Sequence, residues 1–112
     1  MLLGYDKLQK QLNNLANLDT RLASIKMAQK VYDESQVLVP VDKGDLKESG
    51  KVVEAGEGAT VVYDSDHSTH VEFGTVKMKA QPYLRPAYEN NISKLTHIGA
   101  EEIQREIKEA IR

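Results

Sequence analysis

The chain has no cysteine and no tryptophan, and only one phenylalanine and three prolines among its 112 residues. Without cysteine there is no disulfide, no thiol chemistry and no cysteine-ligated zinc or iron–sulfur site. With one Phe and no Trp, the core is expected to be aliphatic and modest. A basic excess is also missing. Fifteen Lys and Arg against seventeen Asp and Glu leave a formal charge of -2, which is not the profile of a protein that grips a phosphate backbone. No apolar run is long enough to span a bilayer, and the opening MLLGYDKLQKQL turns polar after two leucines, unlike the apolar core of a signal peptide. Synthesis in the cytoplasm without membrane association is the resulting expectation.

A charged fraction of 29% and a hydrophobic fraction of 40% suit one soluble domain over 1–112, since a split would leave pieces too small to bury a core. Leu8, Leu12, Leu15, Leu18, Leu22 and Ile25 recur at helical spacing, which predicts a helical region over 5–37. Asn17 and the Asp19-Thr20 pair are weak helix formers and good caps, so this helix either bends there or breaks and restarts with Asp19 or Thr20 as N-cap. Pro40 disfavours helix at Val39. A junction over 38–50 follows, in which Gly44 can take a positive φ and Asp45 and Glu48 have capping-box spacing for a single turn over 46–49. A β-meander is expected over 51–74. KVVEA and ATVVYD flank a glycine-bearing turn, with Val61 and Tyr63 on one face, and HVEF reads as a third strand with Val71 and Phe73 inward and His70 and Glu72 outward. TVKMKAQ, 75–81, has no period and reads as an exposed loop. Pro82 and Pro86 bracket the start of a C-terminal helix over 83–111, along which Leu84, Tyr88, Ile92, Leu95, Ile98 and Ile103 begin one apolar stripe. Gly99, mid-helix at a propensity cost of about 1 kcal/mol relative to Ala, points to a close helix–helix approach or a kink. The expected fold is α+β: a long N-terminal helix, a three-stranded antiparallel β-meander, and a long C-terminal helix packed on one face of the sheet. Such a thin domain leaves a strand edge to be blunted or paired with another chain.

Two stretches carry a resemblance: VPVDKGDLKES at 39–49, and HVEFGTVKMKAQPYLRPAYE at 70–89. Together they are similar to the signature stretches of a family of small tailed-bacteriophage tail-completion, or head–tail joining, proteins of the neck. In that family the first runs Pro, Val, Asp, Thr, Gly, then Leu and a basic residue. The second runs Glu, Phe, Gly, Thr, a variable loop, then Gln-Pro-aromatic-Leu-Arg-Pro-Ala. This chain has Pro40, Val41, Asp42, Gly44 and Leu46, then Glu72, Phe73, Gly74, Thr75, and 81–87 complete. It departs at Lys43, where Thr is usual, and at Gly50, where a β-branched residue often follows the Ser. The resemblance implies a structural virion protein without catalysis or cofactor, made in the host cytoplasm. It would act as a repeated ring subunit, with copies of itself and other neck and tail proteins as partners.

Within the second stretch, Arg85 falls in the first turn of a helix, where the macrodipole disfavours a cation by roughly 0.3–1 kcal/mol. Glu72 is the expected counter-ion, a carboxylate–guanidinium staple at the base of a loop whose tip, 76–80, reaches a neighbouring subunit. The expected assembly interface is Glu72, Phe73, Gly74, Thr75, Val76, Lys77, Met78, Lys79 and Arg85. Lys77 and Lys79 can also touch DNA in a channel, weakly and without specificity. An alternative reading takes Asp64, His67, His70 and Glu72 as a metal-binding module or hydrolase, although their spacing is not diagnostic and a polar turn accounts for the same residues. Ser65 and Ser68 beside His67 lack a nucleophile-elbow context, and Gly56 and Gly58 lack the Lys-Ser/Thr and helix of a phosphate loop.

Overall fold

Two polar interruptions, around Asn17 and at Asn90-Asn91, set the shape of the molecule. The computed structural model describes residues 3–40, 44–56, 58–66 and 68–112. Helix α1, Leu3–Ala16, ends as the Leu18 N–H turns back to the Leu15 carbonyl at 3.2 Å. The Asp19 carboxylate then accepts the Arg21 N–H at 2.9 Å and pairs with the Arg21 guanidinium at 2.8 Å. Helix α2, Arg21–Leu38, therefore restarts on Asp19, and the Thr20 side chain makes no capping bond. The interruption is a break. At the other end of the chain the single helix expected over 83–111 is two, α5 at Leu84–Glu89 and α6 at Ile92–Ala110. The buried Asn91 side chain donates to the Ala87 carbonyl at 2.8 Å, competing with the helical ladder it interrupts.

Between these helical regions lie α3, Gly44–Glu48, then strands β1, Gly50–Ala55, and β2, Gly58–Tyr63, and then α4, Ser68–Phe73. The single turn expected over 46–49 is α3, starting two residues earlier, and Gly44 has no left-handed backbone. Residues 41–43, which include Val41, Asp42 and Lys43 of the first signature stretch, lie outside the described residues. The strands pair antiparallel from Gly50↔Tyr63 to Ala55↔Gly58, and Gly56 supplies the positive φ, 60°, that so short a connection requires. The sheet ends there. The third strand expected in HVEF is helix α4, and the reason is visible in burial: adjacent Val71 and Glu72 are both buried while Phe73 is 72% exposed. A strand with one buried face cannot do that, whereas a helix turning 100° per residue can.

The C-terminal helix is not the layer on the sheet either. Helix α2 covers both strands, and α6 packs on α2. The architecture is α+β, with a two-stranded antiparallel sheet. Small residues of α2, Ala23, Ala28 and Ser35, are buried at these contacts. Helices α2 and α6 run antiparallel, with Lys26 opposite Glu102 and Met27 opposite Gly99. Farther along, the Asn14 amide donates to the Ala110 carbonyl at 3.0 Å and Gln11 reaches the Ile111 carbonyl, so α1 prolongs the line of α2 past the last turn of α6. The result measures 76 × 23 × 20 Å with a radius of gyration of 19.7 Å, against about 13 Å for a compact domain of this length. Along this shaft Leu8, Leu12, Ile107 and Ile111 of the two expected apolar stripes remain exposed.

The core sits at the other end. Val39, Leu46, Tyr63, Val71 and Tyr83 form one cluster, with Val61, Met78 and Leu84 packed against it. The rings of Tyr63 and Tyr83 meet edge to face with centroids 4.8 Å apart, and each hydroxyl has partners. Tyr63 shares a 2.6 Å bond with Ser35 and receives Gln36 Nε2 at 2.8 Å, while Tyr83 donates to the Ser68 carbonyl at 3.1 Å. Gly50 makes room for this network: a Cβ there would lie 2.7 Å from the Tyr63 ring.

Two predictions concern the shaft. A Cβ at Gly99 would come within 2.6 Å of Met27 Sδ, so Gly99 is the close approach its mid-helix position implied. Gly99→Ala is expected to change stability little, because the propensity gain of about 1 kcal/mol is offset by moving the flexible end of the half-buried Met27 side chain aside. In a Met27→Ala background nothing has to move, and the same change should stabilise by more. A double-mutant cycle by urea denaturation reads the difference.

Glu102 is buried between Lys26 and Arg105, and hydrogen bonds first from Lys26 and then from Arg105 hold its pKa below the ordinary 4.5. A lowered folded pKa gives stability that is present above the unfolded value and lost as pH falls through the folded one. Wild type should therefore melt above Glu102→Gln at neutral pH, and the two melting curves should converge in acid below the normal carboxylate range.

Candidate functional site

The second signature stretch folds into a framed loop. Helix α4 closes as the Gly74 N–H bonds to the His70 carbonyl at 2.7 Å, and the chain then leaves through Gly74, whose φ is 77°. Thr75 and Met78 exchange N–H···O bonds of 2.8 and 3.3 Å, the Thr75 hydroxyl accepts the Lys77 N–H at 3.2 Å, and the Gln81 N–H returns to the Val71 carbonyl at 2.8 Å. The tip is narrower than 76–80. Val76 and Lys77 project, with Val76 fully exposed, and Lys79 is exposed too, but Met78 turns back onto the core cluster.

Glu72 closes the frame, by a different bond from the expected one. Its buried carboxylate does not meet the Arg85 guanidinium. It accepts main-chain N–H groups, Tyr83 at 3.2 Å and Leu84 at 2.8 Å on Oε1 and Arg85 at 3.4 Å on Oε2. A single side chain thus caps the start of α5 from twelve residues upstream. Burial pushes the Tyr83 hydroxyl at this corner up to about 12, with the Glu72 carboxylate and Tyr63 adding to the effect. Arg85 is exposed, and no acceptor partners its guanidinium among the described residues.

The structure separates the members of the alternative metal site. His70 and Glu72, two apart on α4, point to opposite sides, one exposed and one buried with its oxygens on α5. Asp64 is exposed beyond the end of β2, and His67 lies outside the described residues. Among the described residues no group of three His, Cys, Asp or Glu side chains is placed to hold a metal ion. No helix among them is long and apolar enough to cross a membrane.

Two depressions meet at Leu84 and Arg85. The smaller, about 390 Å³, lies on the α4 side, with exposed Phe73 and buried Tyr83 in its wall. The larger is an open, mainly apolar groove of about 590 Å³. Its floor is α2, through Met27, Ala28 and Val31. One wall is the α5–α6 corner, through Leu84, Tyr88 and Ile92, and the other is residues 58–61 of β2. The sequence does not display this groove, because Tyr88 and Ile92 continue an apolar stripe that implies a covered helix face. The signal against that implication was Asn90-Asn91, which breaks the helix between them and leaves both more than 45% exposed.

Comparison with family models, with curated proteins and with solved structures gives no match to this chain.

Proposed function

We propose that the chain is a structural component of a tailed-phage neck, a repeated ring subunit that completes the tail or joins it to the head, working without catalysis or cofactor. The observation that carries the reading is the framed loop. The residues that resemble the family signature are those that build it, with Glu72 capping α5 and Gly74 turning the chain. Phe73 and Val76, 72% and 105% exposed, are then held outward on a rigid base. A singly exposed apolar side chain is ordinary, but two large ones set on one hydrogen-bonded loop offer a partner a fixed apolar contact. The rest of the chain agrees. Its core is small for its length, each strand of the two-stranded sheet has one edge unpaired by the other, and the elongated body offers contact area on several sides. Neighbouring copies and other neck and tail proteins are the partners this reading supplies. Exposed Lys77 and Lys79 on a chain of charge -2 allow at most weak, non-specific contact with DNA in the channel.

The test is a particle carrying Phe73→Ala together with deletion of 76–80, in a chain verified to fold by circular dichroism. Filled heads and separate tails that fail to join are expected. Normal infectivity would overturn the assignment.

A further inference from the structure

The larger groove has a wall of unusual kind. Four consecutive residues of β2, 58–61, line it. Successive side chains of a strand point to opposite faces, so a cleft touched by all four runs along the strand's edge and not over one face. The opposite edge is taken by β1. The groove therefore sets main-chain N–H and C=O groups of β2 beside the apolar floor of Met27, Ala28 and Val31 and the apolar wall of Leu84, Tyr88 and Ile92. A helix entering it has no backbone groups left to pair with that edge, whereas an extended chain has a full row of them. At the mouth stands Arg85, which lines both depressions and has no acceptor among the described residues.

We propose that this groove binds an extended segment of a partner protein, which adds to β2 as a third strand. The segment lays alternate aliphatic side chains on α2 and carries a carboxylate to Arg85. The assembly reading enters only in saying who supplies the segment. A second copy of this chain is the poorer occupant: its projecting segment is the loop with Lys77 and Lys79, which would bring like charge to Arg85.

The probe is a set of three fluorescent peptides of alternating valine and threonine, capped at both ends and differing only in the position of a single glutamate. Anisotropy titrations of the full chain should show saturable binding of at least one. Replacing its glutamate by glutamine should weaken binding about tenfold, as expected for loss of a charge-assisted pair, and methylating alternate backbone nitrogens should abolish it. Arg85→Glu, a change at an exposed position, should reverse the preference in favour of a lysine peptide. Tyr88→Lys should weaken every peptide. Absence of binding by all three, or equal binding of the glutamine and N-methylated forms, would overturn the proposal. So would a homodimer in sedimentation that Arg85→Glu dissolves, which would assign the groove to a second copy. None of these outcomes bears on the infectivity test above, so the groove and the neck assignment stand or fall separately.

Discussion

Glu72→Ala is expected to cost about 2–4 kcal/mol, a loss of the size usually caused by truncating a core side chain. Three main-chain donors, those of Tyr83, Leu84 and Arg85, lose their acceptor together. Each buried donor left unmade costs roughly 1–3 kcal/mol, and bonds to a charged acceptor lie at the upper end. The sum is less than three full penalties because Leu84 and Arg85 border the grooves, where water can replace part of what is lost. Against a total stability of roughly 5–15 kcal/mol, such a loss moves the urea midpoint plainly. Glu72→Gln separates the contributions: the isosteric amide keeps one acceptor oxygen and loses the charge, so about half the effect should return. If Glu72→Ala leaves the midpoint within error of wild type, the carboxylate is not what holds α4 to α5.

The same carboxylate links stability to the proposed interface. Glu72 joins the two ends of the loop that holds out Val76, and it sits one residue before exposed Phe73. Loss of the cap should therefore loosen the loop before the shaft feels it. Hydrogen exchange of Glu72→Gln at neutral pH should show faster exchange at Leu84 and Gln81, with the amides of α6 unchanged.

What could be read from the sequence was set by how local the deciding interaction is. The α+β class, the hairpin and the short helical turn near α3 follow from β-branched runs and turn residues within a few positions of one another, although α3 starts at Gly44 and so encloses the Asp45 that was expected to cap it. The break near Asn17 was signalled by the same kind of residue, but choosing between bend and break depended on Asp19 reaching Arg21, which spacing alone permits without requiring. HVEF failed for a different reason. Four residues are too few to distinguish period 2 from period 3.6, and what selects helix is a partner at 83–85 that must be met by Glu72 from inside. The Glu72 and Arg85 pairing was half legible: the two ends of the loop are tied through Glu72, but to backbone donors that every sequence possesses and none displays. The expected burial of Tyr88 and Ile92 failed because a stripe shows only that apolar residues share a face, not that anything covers it.

Gly74→Ala is the second large effect, expected at roughly 3–4 kcal/mol, because two independent costs fall on one methyl group. The backbone at Gly74 has φ 77°, a region that costs an L residue about 1–2 kcal/mol. The added Cβ would also lie 2.8 Å from Ala80 N, 3.0 Å from the Met78 carbonyl oxygen and 3.1 Å from Ala80 Cα. Those are main-chain atoms, so no rotamer change relieves the contact. Moving them means giving up the Thr75–Met78 bonds or the return from Gln81 to Val71. Gly74→Asn divides the two costs. Asparagine tolerates the left-handed region better than alanine, so it recovers part of the backbone term while keeping the contact. It should fall between wild type and Gly74→Ala, nearer the latter, and Ala80→Gly should rescue neither, since the obstructing atoms remain. A Gly74→Asn chain with wild-type stability would mean that the loop can shift away from its frame at no cost, and the rigid presentation of Phe73 and Val76 would go with it.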